Sequence, residues 1–224
     1  MIHAGRAARR ALEAAMAQTA TRRGVDWGWV LSNTAVASAF LLFAWAHFAA
    51  WRATGWPAGL GLMLQEGLVA VLLLARRRTA RNARDPRAWL ATGIGSFGML
   101  LARPTAHAVA GAEPLWMGMQ LAGVVVAVVS LLSLGRSFGL VAAHRGIKTG
   151  GAYRVVRHPV YAGYLLGHLG YVLENPSLPN LGLLVLVWGC QLLRIRQEEQ
   201  FLAADPAYVA YQGRVRWRLI PFLY

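Results

Sequence analysis

The sequence predicts an all-α polytopic membrane protein, and three observations carry that reading. Residues 29–50 and 115–135 hold no Asp, Glu, Lys or Arg, and uncharged apolar runs of about 20 residues match the thickness of a bilayer core. Only 14% of the chain is charged while 57% is hydrophobic, against roughly 25% charged in soluble domains. Of the 23 Lys and Arg residues, 21 fall in four clusters, within residues 6–23, 76–87, 136–157 and 194–218. Basic clusters that alternate with apolar runs are the positive-inside pattern. That pattern accounts for the net charge of +14 and the isoelectric point near 11.4, so nucleic acid is not needed as a partner. It predicts a multi-pass protein with both termini in the cytoplasm.

The elements follow in order. Residues 1–28 are polar and basic, and read either as an amphipathic helix at the membrane surface or as a frayed tail. No cleavable signal is visible, since the first apolar run is long enough to span. Four transmembrane helices are expected within residues 29–134: Trp29–Ala50, Pro57–Ala75, Ala88–Arg103 and Leu115–Leu134. Trp27, Trp29 and Trp51 stand where interface anchors belong. A polar, glycine-containing segment, Gly135–His158, comes next, and connections that long are usually functional. The last apolar pair, Val160–Leu173 and Leu178–Leu193, is split by "ENPSLPN". Each piece is short for an independent span, so the two are expected as a helical hairpin packed on the other helices. This gives about six membrane-embedded helices, followed by a polar and aromatic cytoplasmic cap.

Several motifs have plain explanations. "GIGSFG", residues 93–98, matches a dinucleotide fingerprint but lies within an apolar run rather than between a strand and a helix, so its glycines are expected to serve helix packing. The single cysteine, Cys190, excludes an intrachain disulfide. The six histidines lack metal-ligand spacing. Glu66 lies mid-run in "GLMLQEGLVAVLLLA". An ionisable residue at that depth is a substrate-contact candidate, with helix packing as the other reading.

Two clusters have no such plain explanation. In "GAYRVVRHPVYAGYLL", residues 151–166, Pro159 disfavours helical backbone at His158 and itself suits the first position of a helix. The helix of Tyr161 and Tyr164 therefore begins at Pro159, with His158 just before it. In "RIRQEEQFL", residues 194–202, Arg194 and Glu198 share one helix face, where a salt bridge between them is the simplest reading.

These blocks, together with "AYVAYQGRVRWRLIPFL", resemble the isoprenylcysteine carboxyl methyltransferase family and the related phospholipid N-methyltransferases. The resemblance covers residues 135–224. It implies a membrane enzyme that uses S-adenosylmethionine without a Rossmann domain, held in a cytoplasm-facing C-terminal pocket. It further implies cofactor contacts from Tyr153, His158, Pro159, Val160, Tyr161 and Glu198, and, with weaker matching of residue types, from Lys148. Arg194 matches the arginine assigned to the acceptor, and Arg216 stands where many members have proline. The expected function is methyl transfer to a membrane lipid or other amphiphile, foremost a phospholipid amine. An amine must lose a proton, which makes Glu199 a candidate to assist. Carboxyl or thiol methylation of an isoprenylcysteine-like substrate is the alternative. A sterol-reductase-like NADPH enzyme and a non-catalytic membrane binding protein are the competing classes. High Ala and Arg usage beside a single lysine suggests a bacterial source, and hence the inner membrane.

Overall fold

A computed structural model describes residues 26–79, 85–105, 111–141 and 143–224. The expected N-terminal helix, at residues 5–20, lies outside the described residues. The chain divides into two units, residues 1–35 and 36–224. Of the first, the described part is the opening of helix α1. The second holds the cavity and the core.

The described residues form seven α-helices: α1 (Trp27–Thr54), α2 (Pro57–Ala75), α3 (Pro86–Phe97), α4 (Glu113–Leu134), α5 (Pro159–Glu174), α6 (Leu178–Leu202) and α7 (Pro206–Arg214). Short 3₁₀ turns extend α3 through Leu101, follow α4 at Gly135–Ser137 and precede α5 at Gly151–Arg154. Helices α2 through α7 each carry proline at the first or second position. There a missing N–H costs nothing and the fixed φ is already helical. Asp85, Ser177 and Asp205 add side-chain caps, accepting from the backbone N–H of Arg87, Asn180 and Ala207.

Helices α1, α2, α4 and α6 are long and apolar enough to cross a membrane. The fold is all-α and polytopic. The last helix is longer than its apolar run, because α6 continues through the polar stretch to Leu202. Helices α3 and α5 are shorter and lie in the bundle beside these four. Large apolar side chains such as Leu42, Trp45, Leu64, Val125, Leu132 and Val185 remain exposed, as a lipid-facing surface requires.

Packing explains the glycines of one helix–helix seam, although a Cβ on Gly93 would meet nothing within 4 Å. The most extensive helix–helix contact is α4 on α5, along Gly123, Gly163, Gly167 and Gly170. A Cβ on Gly163 would lie 2.6 Å from the Ala127 backbone nitrogen, and one on Gly123 2.5 Å from that of Gly167. Only hydrogen fits there, and close backbone approach is how membrane helices gain dispersion contact. Helix α6 packs chiefly on α3. The α5–α6 hairpin is therefore held by α4 and α3 more than by its own two arms. Gly98, within "GIGSFG", has the same packing use, since a Cβ there would meet Val187 at 2.6 Å.

Each end of the bundle is tied across helices. At one end Gln120 donates to Glu174 (2.6 Å), and Asn180 receives the Arg103 N–H (3.1 Å) and donates to the Arg103 carbonyl (2.8 Å). At the arginine-rich end Arg136 donates to the Ala75 carbonyl (3.0 Å) and Arg145 to that of Arg77 (3.2 Å).

Candidate active site

The backbone of the 151–171 stretch sets the site. Gly151 has φ +61°, and a Cβ there would also strike Ser133 at 2.7 Å, so glycine is required for the turn that precedes α5. His158, with φ −126° and ψ 59°, stays non-helical ahead of Pro159. Its N–H donates to the Arg218 carbonyl (2.8 Å), and that of Arg157 to the Trp217 carbonyl (2.9 Å). The tail is thereby stitched to the turn that carries His158.

Behind this turn lies a cavity of about 340 Å³. At its arginine-rich end it is lined by Phe138, Leu140, Tyr153, Arg157, His158, Val160, Tyr161, Arg194 and Glu198. It continues between the helices past Gly163, Tyr164, Gly167 and His168 from α5, and past Leu62, Glu66 and Val69 from α2. Its far end reaches His47, Trp56 and Gln120. A long, mostly apolar cavity with its arginines and Glu198 at one end suits an amphiphile.

The mouth has a definite electrostatic arrangement. Glu198 accepts from the Tyr161 hydroxyl at 3.4 Å, a long bond that leaves most of its accepting capacity free. Arg194 donates to Gln191 Oε1 (2.7 Å), to the Leu140 carbonyl (2.7 Å) and, weakly, to Ser96 (3.4 Å). Its guanidinium carbon lies 5.3 Å from the Tyr161 ring centroid, a cation–π placement. Gln191 in turn donates to the Gly95 carbonyl at 2.9 Å. No ion pair joins Arg194 to Glu198 among the described residues, so the simple salt bridge is not what their spacing serves. Burial raises the Tyr153 hydroxyl well above its ordinary value, with Glu198 adding to the effect, which keeps the phenol neutral. Burial and then Arg76 draw Arg145 down to about 10, while Glu198 opposes them, which places a further cation in the field of Glu198.

Glu199 occupies a different place from the proton acceptor that the sequence suggested. It does not line the cavity. Its Oε1 takes a bond from Arg157 Nε (2.6 Å) and lies 3.2 Å from His158 Nε2, and its Oε2 takes one from Arg218 Nε (2.8 Å). Both oxygens are occupied by fixed partners, so a proton-accepting role does not fit. The carboxylate anchors the His158 turn and the tail. Lys148 is exposed and off the cavity wall. The remaining expected contacts from α5 and the preceding turn, Tyr153, His158, Val160 and Tyr161, all face the cavity, and Pro159 is buried beside them as the first residue of α5. Glu66 faces the cavity from α2.

Sequence reasoning gave no role to three wall residues, nor to Gln191, which lies off the cavity wall and holds Arg194. Arg157 had been absorbed into the basic cluster. Tyr164 and His168 follow Tyr161 at helical spacing on the same face, a signal that was available. Gln191 precedes Arg194 by three residues, which puts the two in reach of each other.

The fold and cavity define a class: a multi-pass helical membrane protein with a polar-mouthed, lipid-depth pocket. Residues 113–205 match the family model described as Phospholipid methyltransferase. Among curated proteins, Protein-S-isoprenylcysteine O-methyltransferase A of Arabidopsis thaliana is 34% identical over 91 residues, covering 38% of this chain and 46% of that protein. Protein-S-isoprenylcysteine O-methyltransferase B of the same plant is 31% identical over 106 residues, covering 43% and 53%. The chain spans about half the length of these curated relatives. Residues 113–205 are thus similar to phospholipid methyltransferases, and part of the chain to the two plant O-methyltransferases.

Proposed function

We propose that this protein transfers a methyl group from S-adenosylmethionine to a membrane lipid or other amphiphile, foremost a phospholipid amine. The observation that carries this reading is the mouth of the cavity, where Glu198, Tyr161 and Arg194 meet an apolar channel at membrane depth. When bound, S-adenosylmethionine supplies an electrophilic methyl group on a sulfonium. The residues present fit it. Glu198 has carboxylate capacity to spare for an ammonium. Tyr153 and Tyr161 offer buried aromatic faces to a cation, and Arg157 and His158 line the mouth beside them.

In this reading the chain works mainly by positioning. Glu198 orients the cofactor's amino group. Arg194, already held by Leu140 and Gln191, presents its remaining edge to an anionic acceptor head. The apolar walls exclude water and align the acceptor, and well-aligned pairs reach effective molarities of about 10⁵–10⁸ M. These residues would hold the cofactor so that its methyl is offered to the acceptor, and its sulfur would keep the electron pair of the carbon–sulfur bond. An amine acceptor releases its proton to water at the mouth, since Glu199 is committed elsewhere. The exposed Lys148 takes no part in holding the cofactor.

Orientation belongs to the same proposal. The arginine-rich end faces the cytoplasm at the inner membrane, and the end with Glu113 and Asn175 faces outward. The decisive experiment incubates purified protein with methyl-labelled S-adenosylmethionine and a total lipid extract. A labelled lipid is expected. Labelling of an isoprenylcysteine analogue alone would favour carboxyl methylation instead, and binding of NADPH without S-adenosylmethionine would overturn the reading.

A further inference from the structure

The mouth accounts for only one end of the cavity. Far deeper, short of His47 at the far end, the wall carries a carboxyl and an imidazole, Glu66 on α2 and His168 on α5. Each stands nine residues from the arginine-rich end of its helix, Glu66 from Ala75 and His168 from Pro159. At 1.5 Å per residue both lie about 14 Å in, so the two side chains share one depth. Glu66 is partly buried and has one weak partner, the Gln65 side chain at 3.4 Å. His168 has no hydrogen-bond partner among the described residues. Its Nδ1 is wholly buried, which leaves Nε2 as the ring nitrogen open to the cavity. The ring is fixed by stacking on Tyr164 and by an edge contact with Trp188, each at 6.3 Å between centroids. Polar groups in a membrane protein's interior are normally paired. A rigid imidazole and a carboxyl at one level of a mostly apolar channel are therefore poised for a polar group brought by a ligand.

We infer that Glu66 and His168 form a second polar subsite, in which the His168 Nε2–H and the O–H of a protonated Glu66 carboxyl donate to an ester carbonyl of a glycerophospholipid acceptor. The spacing carries the choice of ligand. Tyr161 at the mouth and His168 lie seven residues apart on α5, about 10 Å along its axis. A phospholipid's headgroup amine and its glycerol esters are separated by a distance of that order. A prenyl chain offers no polar atom there. Beyond His168 the wall includes Leu62, Met99 and Ala102, which suits the start of an acyl chain. This inference rests on the proposed lipid acceptor, but its test is one of binding and needs no turnover.

Detergent-purified protein is offered equimolar dioleoyl phosphatidylethanolamine and its diether counterpart, which lacks the carbonyls. The retained lipid is quantified by native mass spectrometry. The wild type is expected to prefer the diester by about 3- to 10-fold, the worth of one or two net hydrogen bonds. His168→Phe and, separately, Glu66→Leu should abolish that preference. Equal retention of the two lipids by the wild type, or an undiminished preference in both variants, would overturn the subsite. Absence of methyl transfer beside an intact ester preference would count against the enzyme reading and leave the subsite standing.

Discussion

Glu198 and Arg194 sit one turn apart on α6, and the structure gives them different neighbours. Among the described residues Glu198 has only a long bond from Tyr161, whereas Arg194 holds a carbonyl, a glutamine and a serine. Their substitutions should therefore separate. Losing a charged hydrogen bond typically costs about 1.5–3 kcal/mol, or roughly 10- to 150-fold in affinity. Glu198→Gln is expected to weaken S-adenosylmethionine binding by that much, with little change in melting temperature. Arg194→Ala strips donors from the Leu140 carbonyl and Gln191, so it should lower stability by about 1–3 kcal/mol and reduce acceptor turnover, with cofactor affinity nearly unchanged. Calorimetry and thermal melts on both variants check this, and parallel losses of affinity would defeat the division of roles. The spacing of the two residues was legible in the sequence. What it could not reveal is that Gln191 and the Leu140 carbonyl, the latter 54 positions away in sequence, would claim the arginine.

At the scale of elements, the His158 turn and the tail depend on one carboxylate. Glu199 is buried, 5% exposed, and balances two guanidinium groups, so removing its charge leaves those cations uncompensated. Breaking a buried pair in this way costs about 3–5 kcal/mol. Glu199→Gln should show that loss in denaturant unfolding. It should also make the 215–224 segment accessible to limited proteolysis, whereas wild-type resistance to proteolysis in the variant would argue against an anchor. The α4–α5 seam gives a second expectation. Gly163→Val places carbon atoms against the Ala127 backbone, so folded yield should collapse. Gly182→Val, where a Cβ meets nothing within 4 Å, should be tolerated. Pro57 and Pro159 marked the starts of α2 and α5 in the sequence, whereas α7 was legible only as part of a polar and aromatic cap. The identity of packing partners was not readable, because Gly123 and Gly163 declare a close approach without naming the helix across from them.

At the scale of the whole molecule, the sequence conveyed a membrane bundle more reliably than it conveyed how many helices cross. Charge-free runs mark α1 and α4 directly, but α3 and α5 are shorter than a bilayer core and are carried by their neighbours. Position in the bundle, rather than length, makes them part of the cavity wall. Orientation then rests on charge. Arg76, Arg77, Arg136 and Arg145 gather at the end that holds His158 and Glu198, while Glu113 and Asn175 mark the other. Moving many arginines across the membrane during insertion is unfavourable, so the arginine-rich end should stay in the cytoplasm. With Cys190→Ser as background, Glu113→Cys and Lys148→Cys place single thiols at exposed positions of opposite ends. A membrane-impermeant maleimide on intact cells should label position 113 and leave position 148 unlabelled until the membrane is permeabilised. The reverse pattern would put the cavity mouth outside the cell, away from cytoplasmic S-adenosylmethionine. It would thus refute the orientation and the proposed cofactor supply together.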